Sequence, residues 1–284
     1  MNFGAAIFFT DYSMGPAELG QALEERGFES LWAPEHSHIP LSRRSPFPQG
    51  GDLPKKYYDV MDPFVTLAAA SAATTRLQRR HRRVSGRSAR SDPDSQGGRE
   101  PRSGLGRTVP VRHRGRLERR RNARPWDRFQ VALQGDARAR VEAMRAIWTK
   151  SKPEYSGEFV KFPPMMTWPK PAQKPHPPVI VGGAFPYGAR RAIAYGDGWM
   201  PHARRPEYGD VIKLLPDFKK LVAESGRDPA TLPITVFGVA EDADLIKRYG
   251  DAGVARLVFN LNPAKADEVL PALDRFAGLM RQAG

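Results

Sequence analysis

The chain contains no cysteine. That excludes disulfide staples, a thiolate nucleophile and any cysteine-ligated metal, and no metal site is expected. Long apolar runs are also missing; none approaches the roughly 20 residues a helix needs to cross a bilayer. The opening Met1-Asn2-Phe3-Gly4 lacks the basic start and cleavage site of a secretory leader. The expectation is a cytoplasmic protein with no membrane partner. A local absence is more informative. Between residues 76 and 128 there is no lysine beside 18 arginines, and only 5 acids occur (Asp92, Asp94, Glu100, Glu118 and Asp127). This stretch holds seven large hydrophobic residues (Leu77, Val84, Leu105, Val109, Val111, Leu117 and Trp126), too few to bury a core. It carries +13 of the chain's +14, so the basic balance belongs to this stretch alone.

The rest of the chain has ordinary composition and alternates short apolar runs with amphipathic ones. Strands are predicted over residues 3–9, 30–34, 178–182, 198–201, 234–239 and 256–261. Helices are predicted over 16–26, 62–74, 139–149, 187–195, 208–225, 242–249 and 266–280. Runs such as VIVGG and RLVFN are apolar without alternation, as strands covered on both faces are. Alternating strands and helices with short connections imply a parallel sheet. Residues 150–178 read as a proline-rich insertion holding a possible hairpin, EYSGEFVKF. Six strands suffice for an open doubly wound sheet, whereas a (β/α)₈ barrel requires eight. For a barrel, the gap between the helix at 62–74 and the helix at 139–149 would have to supply strand, helix and strand.

Arginine-rich sequence with scattered Gly, Pro and Ser is what GC-rich coding DNA yields in the wrong frame. Leu77 to Val84 (LQRRHRRV) has an allowed codon choice that reads SNVGTGVS one base later. The same shift runs without interruption to Phe129 and can encode a strand (NVGTGV), a helix opening Asp-Pro and a strand (RFLFGIGAG). These are the missing units in the missing order. Residues 76–135 are therefore expected to be an aberrant, out-of-frame and disordered segment of a single domain spanning 1–284. The rival reading is an arginine-rich arm that binds nucleic acid through phosphates. With Trp126 as its one aromatic, such an arm offers little base stacking, and no specific nucleic-acid partner is expected.

Several motifs could carry chemistry. Glu35-His36 follows the second strand directly, and polar residues at the C-terminal end of a barrel strand face the active site. A surface loop with incidental charge is equally open. Gly182-Gly183 ends VIVGG just before a helix, where a ligand can approach the backbone; a tight turn explains it as well. His202, Arg204 and Arg205 follow the next strand and could hold a phosphate, although exposed basic loops are common. Gly196-Asp197-Gly198 reads as a helix stop and turn at the opposite face. Phe162, Met165, Met166 and Trp168 could line a pocket, although packing of a long loop is the blander reading.

The segments FESLWAPEH, RVEAMRAIW, PKPAQKPHPPVIVGG, RRAIAYGDGWMP and RLVFNLNPAKADEVLPALDRFA together resemble the luciferase-like monooxygenase family, and within it the enzymes that use the deazaflavin coenzyme F420. The resemblance implies an α/β fold, a (β/α)₈ TIM barrel with strands 3 and 4 lost to the Arg-rich segment. It implies hydride transfer with F420 or, alternatively, monooxygenation with FMN, acting on a small-molecule substrate. By position, His36 and Glu35 correspond to the catalytic residues near the reactive ring. Gly182 and Gly183 correspond to backbone lining that ring, and His202 and Arg205 to partners of the phosphate tail. A homodimer is the expected assembly.

Overall fold

In the computed structural model, the described residues are 1–39, 47, 50–81, 126–204 and 209–283, with backbone alone described for 78–81 and 126–135. The elements alternate as the sequence pattern requires. Strand β1 (Asn2–Ala6) leads to helix α1 (Pro16–Glu25) and β2 (Ser30–Ala33), followed by α2 (Pro63–Ala72) and β3 (Gln78–His81). Helix α3 (Trp126–Thr149), a hairpin of β4 (Tyr155–Ser156) and β5 (Lys161–Phe162), and β6 (Ile180–Gly182) come next. The chain closes with α4 (Tyr187–Tyr195), β7 (Gly198–Met200), α5 (Val211–Glu224), β8 (Thr235–Phe237), α6 (Ala243–Asp251), β9 (Arg256–Asn260) and α7 (Ala266–Ala283).

Five strands pair in the order β3-β2-β1-β9-β8, all parallel. Strands β6 and β7 form a second parallel pair. Bridges Trp199↔Ile234 and His202↔Phe237 join β7 to β8. The parallel series is thus β3-β2-β1-β9-β8-β7-β6, seven strands in an order that winds back toward its start. This is the strand arrangement of a (β/α)₈ barrel, with the eighth strand not among the described residues.

Burial follows the pattern expected of a sheet covered on both faces. In β9, Arg256 through Phe259 are all buried, and β2, β7 and β8 are buried throughout. Side chains alternate between two apolar clusters. Ala6, Trp32, Ile180, Met200, Phe237 and Val258 form one, drawn from six strands, and fill the space they enclose. Alternate residues such as Ala5, Leu31, Val181, Trp199, Val236 and Leu257 pack with the helices in the other. Helix starts follow capping rules: Asp62 accepts from the amides of Phe64 and Val65, and Asp242 from that of Leu245. The expected hairpin forms, with Tyr155 opposite Phe162. The turn after α4 works as a tie. Asp197 accepts from the Val179 amide at 2.7 Å and pairs with Arg145 of α3 at 2.8 Å.

Two differences from expectation fall at the edges of the Arg-rich stretch. A third strand is present: Gln78–His81 runs parallel to β2, Ser30 opposite Gln78 and Ala33 opposite His81. Strand pairing uses backbone N–H and C=O groups, so a chain with arginine side chains can still extend along a free strand edge. The loss of strands 3 and 4 is therefore corrected at strand 3. Helix α3 begins at Trp126 rather than at 139, since Ala, Arg, Gln and Leu through this span favour helix. The expectation of disorder for 76–135 falls largely on residues outside the described set.

Candidate active site

A cleft, open to solvent, lies over the C-terminal ends of four strands. Ala6, Ile7 and Phe8 line it from β1, Pro34 from β2, His202 from β7, and Asn260, Leu261 and Asn262 from β9. Phe47, Pro54, Lys56 and Tyr57 line it from the long loop between β2 and α2. The strand ends are held in register by pairing that continues past the regular strands. Leu261 N–H donates to Ala6 C=O at 2.8 Å, and Ile7 N–H to Trp32 C=O at 3.1 Å. Ala203 N–H donates to Phe237 C=O at 2.8 Å.

Aromatic rings build one wall. The His36 ring stacks on Phe8 with centroids 5.9 Å apart and planes 13° apart. Tyr57 meets His36 edge-on at 5.1 Å and Phe8 at 4.7 Å, and Phe47 meets Tyr57 at 5.7 Å. His36 thus packs on two lining residues, and Glu35, buried at 8 % exposure, sits beside the lining Pro34.

Polar groups converge on another wall. His202 is 6 % exposed. Its Nδ1 accepts the Arg204 amide at 3.1 Å, which places the ring proton of a neutral imidazole on Nε2 and makes Nε2 a donor. Gly238 creates the room for this ring. Its φ is +74°, and a Cβ there would lie 2.8 Å from His202 Cε1 and 3.0 Å from Asn260 Nδ2. His202 and Asn260 therefore share a space that only glycine leaves open. Arg204 is turned away, donating to the Val239 carbonyl at 3.0 Å. Arg205 lies outside the described residues.

Gly182 and Gly183 end β6, and neither is among the described residues lining the cleft. Gly183 adopts φ +145° and approaches α4: a Cβ there would lie 3.1 Å from the Gly188 Cα and 2.6 Å from Arg191 Nη2. Its carbonyl accepts the indole N–H of Trp199 at 3.0 Å. Of the residues singled out in sequence, His202 lines the cleft, His36 packs against its lining residues Phe8 and Tyr57, and Glu35 is buried next to Pro34 in the chain. The structure adds Phe8, Lys56, Tyr57, Asn260 and Asn262. The last two had a readable signal, because they follow RLVFN directly as polar residues at a strand's C-terminal end. Phe8 sits within an apolar run, and Lys56 and Tyr57 sit in a loop, so nothing local distinguished them.

Among the described residues no helix is long and apolar enough to cross a membrane. The family model of the luciferase-like monooxygenases matches residues 136–260. An uncharacterized protein of Mycobacterium tuberculosis is 34% identical over an alignment of 301 positions, spanning 98% of this chain and 98% of that protein. An F420-dependent hydroxymycolic acid dehydrogenase of the same species is 31% identical over 113 residues, 39% of this chain and 30% of that protein. An FMNH(2)-dependent dimethylsulfone monooxygenase of Pseudomonas putida is 26% identical over 165 residues, 56% of this chain and 40% of that protein. The solved structure of an F420-dependent secondary alcohol dehydrogenase superposes with a TM-score of 0.65 at 17% identity, covering 100% of this chain and 99% of that one. Strand order, cleft position and these likenesses agree, and the chain belongs to the luciferase-like monooxygenase family.

Proposed function

We propose that this chain derives from an F420-dependent oxidoreductase that acts on a small-molecule substrate in the cleft over β1, β2, β7 and β9. The observation that carries this reading is the cleft's make-up, an apolar floor and aromatic wall with a few convergent polar groups. The residues present fit a flat heteroaromatic coenzyme. Ala6, Ile7 and Leu261 offer an apolar surface, His202 lies beside it, and the Asn260 amide offers hydrogen bonds to ring heteroatoms. When bound, the coenzyme supplies the hydride. The protein's part is to orient the ring, to shield it from water with Phe8, Tyr57 and Phe47, and to move protons at the substrate. His36 and Glu35 are assigned that proton role. Gly182, Gly183 and Arg205 are retained as partners of the coenzyme, and the assembly as a homodimer, which light scattering checks.

The same reading assigns residues 76–135 to an altered reading frame and expects the chain as written to bind coenzyme weakly. The start of the family match at residue 136, just past that stretch, supports this. Sequencing the gene around codons 75–140 tests it: an intact frame shared by close relatives would overturn it. For the function itself, F420 and FMN are titrated in parallel, by fluorescence, against a frame-restored chain. Saturable F420 binding, tighter than FMN and weakened about tenfold by His202→Ala, is expected from the loss of one buried hydrogen bond. Tighter FMN binding would move the assignment to an FMN-dependent monooxygenase, and binding of neither would overturn both.

A further inference from the structure

We propose that Asn260 and Asn262 form a paired carboxamide reader for a neutral ring edge in which a carbonyl stands beside an N–H, as in a lactam or a pyrimidinedione. The inference rests on reading the cleft as the binding site. Strand β9 is buried from Arg256 through Phe259, and the pattern changes at its end: Asn260 is exposed, Leu261 is buried and Asn262 is exposed. Both asparagines line the cleft. Residues two apart on an extended chain project to the same side, about 6–7 Å from each other. The backbone beneath them is fixed. Ala6 of β1 stands opposite Asn260, and Leu261 N–H donates to the Ala6 carbonyl at 2.8 Å. Leu261, between the two, is anchored in the apolar core. Among the described residues neither carboxamide has a hydrogen-bond partner.

The chemistry of the pair decides which ligand it suits. A carboxamide carries a carbonyl acceptor and an NH₂ donor on one planar group. A ligand satisfies both only by offering an acceptor and a donor side by side. A carboxylate or phosphate would meet the donors but face the two carbonyl oxygens, and an ammonium would do the reverse. A neutral CO–NH edge matches both, and no charge has to leave water. Gly238 brings bare backbone against the first of the pair: a Cβ there would lie 3.0 Å from Asn260 Nδ2. Ala6, Ile7 and Pro34 add apolar lining suited to a flat ring. A site built to bond an N–H rejects the analogue that lacks it, because its own polar groups are then left unpaired. Flavin and deazaflavin rings end in a pyrimidinedione, and a substrate lactam has the same edge, so the test separates the two sources.

Riboflavin and 3-methylriboflavin, in which a methyl replaces the ring N–H, are titrated by fluorescence against the full-length chain and the double variant Asn260→Ala/Asn262→Ala. In parallel, 2-quinolone and 1-methyl-2-quinolone, a lactam pair without a coenzyme ring, are titrated by calorimetry. Circular dichroism checks folding. The expected result is that N-methylation weakens binding about tenfold or more in at least one pair, and that the double variant brings that pair within about twofold. Should the double variant fail to fold, Asn262→Ala alone, an exposed position past the strand, is expected to give an intermediate ratio. Discrimination between the riboflavins assigns the edge to a coenzyme, and discrimination between the quinolones assigns it to a substrate. Equal binding within both pairs, or binding of no probe, would overturn the proposal. So would a discrimination unchanged in the variants, which would mean that the added methyl merely clashes elsewhere. Riboflavin bound without discrimination, the quinolones being equal too, overturns the reader and leaves the coenzyme reading standing. Discrimination between the quinolones with neither F420 nor riboflavin bound overturns the coenzyme reading and leaves the reader standing.

Discussion

The two ends of the parallel strands are built from different chemistry. At the N-terminal ends, Arg256 of β9 makes a two-pronged pair with Glu29, Nε to Oε2 at 2.7 Å and Nη2 to Oε1 at 2.6 Å, and donates to Thr235 of β8 at 3.3 Å. These side chains are largely buried, and each bonds to another side chain of the same end. At the C-terminal ends, His202, Asn260, Asn262 and Lys56 turn into an open cleft among aromatic rings. At one end the polar groups bond to one another, and at the other polar side chains line an open cleft. In a parallel barrel every βα loop emerges at the C-terminal face, so loop variation accumulates there while the opposite face is free to serve stability.

Substitutions can break this contrast or sharpen it. The largest effect is expected from Arg256→Ala, which leaves Glu29 buried without its guanidinium and costs about 3 kcal/mol of stability. Thermal unfolding would show it, while coenzyme affinity of the folded fraction should hold. Replacing both partners by methionine should recover most of the loss, since the desolvation of both charges is removed together. An Arg256→Ala variant that stays stable but loses coenzyme would break the contrast.

Gly238→Ala should do the reverse. At φ +74° a side chain costs about 1–2 kcal/mol. The larger consequence is displacement of His202 and Asn260, expected to weaken coenzyme binding tenfold or more. Equilibrium unfolding and fluorescence titration on the same preparation separate the two effects.

The smallest effect is expected at Tyr195, the last residue of α4. Its buried hydroxyl has no hydrogen-bond partner among the described residues, and burial pushes its pKa up from 10.0 to about 12. Tyr195→Phe should therefore be neutral at pH 7, or stabilising by about 1 kcal/mol. Between pH 10 and 12 the unfolded phenol releases its proton while the folded one keeps it. Stability then falls as pH rises through that window, and Tyr195→Phe should remove that part of the slope in alkaline unfolding curves.

Much of the fold was legible because its signals are local. VIVGG and RLVFN lack alternation, and so marked strands buried on both faces. Asp62 and Asp242 marked helix starts through their side-chain caps, and the two ends of α4 were read as they stand, Tyr187–Tyr195. Strand β3 was missed because a strand of Gln and Arg carries no apolar signal, and its pairing with β2 is a backbone event. The start of α3 was missed because the charge of the Arg-rich stretch obscured an otherwise helical composition. The site was half legible. His202 follows a strand directly and could be placed at the cleft by rule, as could Asn260 and Asn262. Lys56 and Tyr57 reach the cleft through the path of the β2–α2 loop, which no short window of sequence encodes, and Phe8 lies within the apolar run that continues β1.

Hydrogen–deuterium exchange of the frame-restored chain, with and without F420, tests most directly whether the C-terminal strand ends form the coenzyme site. The account predicts slowed exchange confined to the cleft segments, residues 6–9, 34–39, 200–204 and 259–262, with the N-terminal ends around Glu29 and Arg256 unchanged. Protection centred on the N-terminal ends, or none anywhere at saturating coenzyme, would contradict it.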